Sequence, residues 1–201
     1  MKKQYVIPAS THRIEEVIKG SRFITTVSQA STIDEAKNFI ANIKKEFSDA
    51  THNCWAYQTG PPGDTASIGM SDDGEPPKTA GMPMLNVLIH FKAGEIVAVI
   101  SRYFGGVKLG TGGLVRAYSG VLKNALASIK LVERIVPAHL NFAVNYKNLP
   151  AVNSIFKNFG AEVTKEEYKE NAIFSVTIRK ETKKDFKKVL INITKGDIKF
   201  K

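Results

Sequence analysis

Residues 95–128 join a largely apolar run, EIVAVISRYF, to an amphipathic repeat, LVRAYSGVLKNALAS, through the glycine-rich segment GGVKLGTGG. An apolar run of that length reads as a strand buried in a sheet, and the repeat reads as a helix. Leu114, Tyr118, Val121, Leu122 and Ala125 fall on one helical face, with Arg116, Ser119 and Lys123 on the other. A strand followed by a helix with one apolar face requires helix-on-sheet packing, an α+β or α/β layer. The glycine segment either supplies turns with φ > 0 or bares backbone amides to an anion at the helix start.

Two nucleotide-binding patterns fail here. From Gly105 a phosphate-binding loop would need Lys and Ser/Thr after Gly110, where Thr111 and Gly112 stand. From Gly110 the third glycine of a dinucleotide pattern would fall on Val115. What remains is a helix N-terminus opened by Gly110, Gly112 and Gly113, with Arg102, Lys108 and Arg116 as nearby cations, an arrangement suited to phosphate oxygens.

The flanking sequence completes a first domain over residues 1–134. HRIEEVIK and RFITTVSQ form two strands joined at Gly20-Ser21. A helix over 32–47 is capped by Ser31 or Thr32 and buries Ala36, Phe39, Ile40 and Ile43. THNCWAYQTG is a strand, PPGDTASIGMSDDGEPPKTAG a loop, and MPMLNVLIHF a helix whose Leu85, Leu88 and Ile89 share a face. Residues 135–201 read as strand, helix ending on Gly160, strand, strand, helix ending on Gly196, and the final strand DIKFK. That βαββαβ order is the ferredoxin-like plan. Phe186, Leu190 and Ile191 of its second helix are expected in the core, and Lys183, Lys184, Lys187 and Lys188 on a solvated face.

The formal charge is +10, and residues 135–201 hold 13 Lys and Arg against 7 Asp and Glu. Such a balance makes polyanions natural partners. With one cysteine, Cys54, neither an intrachain disulfide nor a Cys-based zinc cage can form, which suits a reducing, cytoplasmic compartment. MKKQYVIPAS begins with positive charge, but Arg13, Glu15 and Glu16 arrive before any apolar signal core. No run approaches the roughly 20 apolar residues that span a bilayer, so no membrane partner is expected.

Two further clusters carry chemistry. In DDGEPPKTAG, Asp72, Asp73 and Glu75 crowd beside Lys78, with Thr79 placed to cap the next helix. Three carboxylates can hold Mg²⁺ or act as a base, yet no His or further acid stands at ligand spacing, so a side-chain-bonded turn is preferred and neither metal nor cofactor is assigned. On the strand HNCWAY, His52 and Cys54 project from one face, a pair open to activation as a nucleophile; a thiol flanked by Trp55 and Ala56 is more simply a core residue.

GSRFIT, THNCWAYQ, SDDGEPPKTAG and ISRYFGGVKLGTGGLVRAYSG, in that order, resemble the Impact family in its bacterial, YigZ-type form. The resemblance covers the first 125 residues, and the basic tail is similar to the second domain of the bacterial members. It implies an N-terminal domain like domain 2 of ribosomal protein S5 and domain IV of elongation factor G, then a ferredoxin-like domain resembling domain V of that factor. It also implies a role beside RNA or the ribosome. The eukaryotic relative regulates translation by competing for an activator of a stress kinase, a circuit bacteria lack. This chain departs from the family pattern at Pro77 and Lys78, where a small residue and Gly usually stand, so its acidic loop should be stiffer and less acidic.

The sequence thus points to a non-enzymatic, translation-associated binding protein that meets RNA or the ribosome at Gly110, Gly112, Gly113, Arg102, Lys108 and Arg116. The alternative is a small enzyme or phosphometabolite binder using the same glycines with the acidic loop or His52 and Cys54. A third reading gives the acidic loop to a protein regulator.

Overall fold

The computed structural model describes residues 5–200. The first four residues of MKKQYVIPAS and Lys201, the end of the last expected strand, lie outside the described residues. The chain divides between Arg134 and Ile135 into two compact units.

The first unit runs β1 (Val6–Pro8), β2 (His12–Ile18), β3 (Ser21–Gln29), α1 (Ile33–Glu46), β4 (His52–Gln58), β5 (Ile68–Ser71), α2 (Gly81–Ile89), β6 (Ile96–Tyr103), α3 (Thr111–Ser128) and β7 (Leu131–Glu133). Its main sheet has the order β2-β3-β6-β4-β5 with every neighbour antiparallel. The apolar run is therefore the central strand, buried from Ile96 through Arg102. Alternation divides it between two cores. Ile96, Ala98 and Ile100 face α2 and α3, while Val97 and Val99 pack with Ala36, Ile40 and Ile43 of α1.

Of the two expected caps of α1, Thr32 is the N-cap, and Ser31 supports it from the preceding position. Thr32 Oγ1 accepts the Glu35 amide at 3.1 Å, and the Glu35 carboxylate accepts from the Ser31 amide and hydroxyl, a reciprocal closure of the first turn. Three short strands were not expected. β1 and β7 pair with each other, and β5 emerges from the loop by pairing with β4 over Trp55–Ser71 to Gln58–Ile68. Gly69 stands opposite Tyr57 in that pairing and leaves room for its ring, since a Cβ there would lie 2.5 Å from it.

The second unit runs β8 (Pro137–Val144), α4 (Leu149–Phe159), β9 (Glu162–Tyr168), β10 (Ala172–Arg179), α5 (Lys183–Ile193) and β11 (Ile198–Phe200), with the antiparallel order β11-β8-β10-β9. This is the ferredoxin-like plan, and the molecule is a two-domain α+β protein. Phe142, Phe156, Phe174 and Phe186 fill the second core. Gly160 ends α4 at φ 58°, as expected. α5 stops at Ile193, before Gly196, and Ile191 is 43% exposed instead of buried, because the core face passes through Phe186, Leu190 and Ile193. Among the described residues no helix is long and apolar enough to cross a membrane.

Candidate functional site

The glycines between β6 and α3 divide by what each one does. A Cβ on Gly105 would fall 1.9 Å from the Gly20 carbonyl group, so Gly105 exists to let the β2–β3 turn press against this loop. Gly106 and Gly110 hold φ of 86° and 72°, the left-handed region that favours glycine. Gly112 differs: its φ is ordinary, and a Cβ there would meet nothing nearer than Arg116 Nη1 at 4.0 Å. Neither turn geometry nor packing requires a glycine at this position.

Gly110 is the N-cap of α3 and supplies no side-chain cap. The first ladder bond runs from the Leu114 amide to the Gly110 carbonyl at 2.9 Å, so the amides of Thr111, Gly112 and Gly113 precede the ladder. The first turn carries no acidic residue. Lys108 and Arg116 are exposed. Arg116 also lines a hollow of about 200 Å³ with Lys19, Leu109 and Gly113. The hollow thus brings a third cation, Lys19 from the β2–β3 turn, to the start of α3.

Arg102 is not part of this surface. Strand alternation places it on the same side of β6 as Ile96, Ala98 and Ile100, and it is 5% exposed. Its Nη1 donates to Glu75 Oε1 at 2.6 Å and its Nη2 to Ser21 Oγ at 3.2 Å. The guanidinium lies 5.6 Å over the Phe23 ring. The expected outward cation is a buried partner of the acidic loop.

That loop is committed internally. Asp72 and Glu75 close a turn, with the Glu75 amide 2.9 Å from the Asp72 carbonyl and positive φ at both Asp73 and Gly74. Glu75 is buried and accepts from Arg102 and, at 2.8 Å, from the Tyr118 hydroxyl of α3. Asp73 Oδ2 accepts the Asn53 amide at 2.7 Å, and its other oxygen pairs with Lys44. Asp72 Oδ1 accepts the amides of Ala80 and Gly81, and Oδ2 accepts that of Lys78. Burial opposes ionisation of Asp72, but the amides of Lys78, Ala80, Gly81 and Thr79 outweigh it and hold the carboxyl below its usual value.

Asp72 therefore caps α2 from nine residues upstream. Thr79, expected in that role, instead donates its hydroxyl to the Pro76 carbonyl at 2.6 Å. Lys78 sits at φ 65°, in the left-handed region that favours glycine. Among the described residues no group of three or more His, Cys, Asp or Glu side chains is placed to hold a metal ion.

His52 and Cys54 both turn toward this loop. His52 Nδ1 lies 2.9 Å from the Asp73 carbonyl, and Cys54 Sγ lies 2.9 Å from the Asp72 carbonyl and 3.3 Å from Tyr118 Oη. The Tyr118 hydroxyl donates to Glu75, so its oxygen, like the Asp72 carbonyl, stands as an acceptor for the thiol proton. Burial above all, with the Glu75, Asp73 and Asp72 carboxylates adding to it, pushes the thiol up to about 12. Cys54 is held as a neutral thiol, the opposite of an activated nucleophile.

Sequence reasoning missed the Glu75–Arg102–Tyr118 cluster, because both faces of β6 are buried and alternation along the strand does not bring Glu75 and Tyr118 to Arg102. It also missed Glu95, a buried carboxylate held by Tyr5, Arg134 and Gln29 from three separate segments. No local pattern signals that contact.

Residues 19–126 match the Impact N-terminal domain, and residues 142–197 match a domain of unknown function, DUF1949. An IMPACT family member of Haemophilus influenzae is 37% identical over 96% of this chain and 94% of its own length. YvyE of Bacillus subtilis is 38% identical over 95% of this chain and 87% of its own length, and YigZ of Escherichia coli is 33% identical over 98% and 96%. The crystal structure of a hypothetical protein, 32% identical, superposes with a TM-score of 0.72 and covers 100% of this chain and 97% of the other. Two domain matches in the right order and end-to-end similarity to several relatives lead to one conclusion: the chain belongs to the Impact family.

Proposed function

We propose that this protein is a translation-associated binding protein that grips the phosphates of structured RNA, free or on the ribosome, at the N-terminus of α3. One observation carries the reading: the amides of Thr111, Gly112 and Gly113 stand ahead of the helical ladder without a side-chain cap, beside exposed Lys108 and Arg116. Lys19 adds a cation to the hollow beside them. Gly112, which neither φ nor packing requires, leaves its amide open to close approach by a phosphate. Family membership and a net charge of +10 support the same reading. Contacts of this kind position an RNA without reading its bases. A role in which Cys54 attacks a substrate is disfavoured by its buried, neutral thiol.

Binding to total RNA and to isolated ribosomal subunits at rising salt tests the proposal. Association should weaken steeply with salt, and Lys108→Ala/Arg116→Ala should lower the slope of log K against log salt by about 2. Salt-insensitive association, or an unchanged slope in the double variant, refutes it.

A further inference from the structure

A second surface lies on the outer side of the α2–α3 pair. The two helices enclose an open groove of about 760 Å³ whose apolar wall is formed by Met82, Val87, Phe91, Val115 and Leu126. Val115 is 38% exposed and Leu126 is buried, so the groove deepens from an open lip to the core. Its charged and titratable lining is Lys78, His90 and Lys123, all exposed, and no acidic residue lines it. Lys78 reaches this rim from a backbone at φ 65°, where glycine would sit without strain.

We propose that this groove docks an amphipathic helix with acidic flanks from a partner protein. The apolar wall takes the partner's i, i+3, i+4, i+7 face, and the cationic rim pairs with acids beside that face. Charge complementarity selects this occupant. A second copy of the chain carries +10 and repels a rim of the same sign. Single-stranded RNA requires aromatic platforms for its bases, whereas the wall is mainly aliphatic and offers one partly buried ring, Phe91. α2 spans nine residues, about 13 Å, which matches two to three turns of a bound helix.

The test uses the intact protein and a fluorescein-labelled peptide of about 15 residues with Leu at i, i+3, i+4 and i+7 and Glu at the other positions. Binding should fall in the micromolar range. Lys78→Glu/Lys123→Glu, both at exposed positions, should weaken it about tenfold or more and should favour the same peptide carrying Lys in place of Glu. Lys108→Ala/Arg116→Ala should leave peptide binding unchanged, which separates this groove from the phosphate site. Absence of binding up to about 1 mM peptide overturns the proposal, as does equal binding of the acidic and basic peptides. A dimer in sedimentation that Val115→Asp abolishes assigns the groove to a second copy, and displacement of the peptide by oligouridylate assigns it to RNA. Either outcome overturns the proposal as well.

Discussion

The acidic loop and the glycine-rich loop look equally functional in the sequence, one dense in carboxylates and the other in flexible residues and cations. In the fold they differ completely. Each carboxylate of residues 72–75 is bonded to the protein: Asp72 to the start of α2, Asp73 to β4 and Lys44, and Glu75 to Arg102 and Tyr118. The start of α3 keeps its amides ahead of the ladder and its cations exposed. Charge density along a chain therefore says little about availability; what matters is whether the fold brings complementary groups to it. The acidic loop locks α2, α3 and β6 together, and the glycine loop presents a surface.

Four variants probe this contrast, and the largest effect belongs to the buried pair. Glu75→Ala leaves the Arg102 guanidinium, already lacking a partner at Nε, charged and buried, and should cost about 3–5 kcal/mol in denaturant unfolding. A loss below 1 kcal/mol would mean that the loop does not lock the core.

Next comes Asp72→Ala, which removes the acceptor of three amides and should cost about 1–2 kcal/mol. The carboxyl has a folded value below its unfolded one, so its contribution is present above the ordinary Asp range and is lost as pH falls through the lower folded value. The variant's acid unfolding curve should accordingly be flatter than the parent's below about pH 4. Parallel curves would show that the cap does not depend on charge.

Lys78→Gly should act in the opposite sense, stabilising by about 1 kcal/mol through relief of a left-handed non-glycine backbone. A thermal melt that moves down would mean the Lys78 side chain contributes more than its backbone costs. The smallest effect on stability belongs to the open site. Lys108→Ala/Arg116→Ala should unfold within about 0.5 kcal/mol of the parent while losing RNA association. A marked destabilisation would show that these cations also brace the fold.

Much of the architecture was legible in local pattern. The central strand, α3 with its buried stripe from Leu114 to Ala125, the Thr32 cap of α1 and the βαββαβ tail all follow from periodicity and capping, because those signals reside within a few turns or one strand. β5 was not legible, since four residues inside a Gly- and Pro-rich segment become a strand only when β4 offers an edge. Ile191 was misplaced because the core face of α5 runs through Phe186, Leu190 and Ile193 and leaves Ile191 to one side.

The site divides along the same line. By itself the sequence determined that glycines open α3 and that Lys108 and Arg116 accompany them, because helix starts and helix faces are local properties. Only the tertiary structure decided that Arg102 points inward to Glu75, that Asp72 rather than Thr79 caps α2, and that Cys54 is a neutral core thiol. Each of those outcomes depends on a partner 8 to 64 positions away in the chain. Such pairings arise from desolvation, which forces buried polar groups to find one another, and desolvation is a property of the packed molecule that no short stretch encodes.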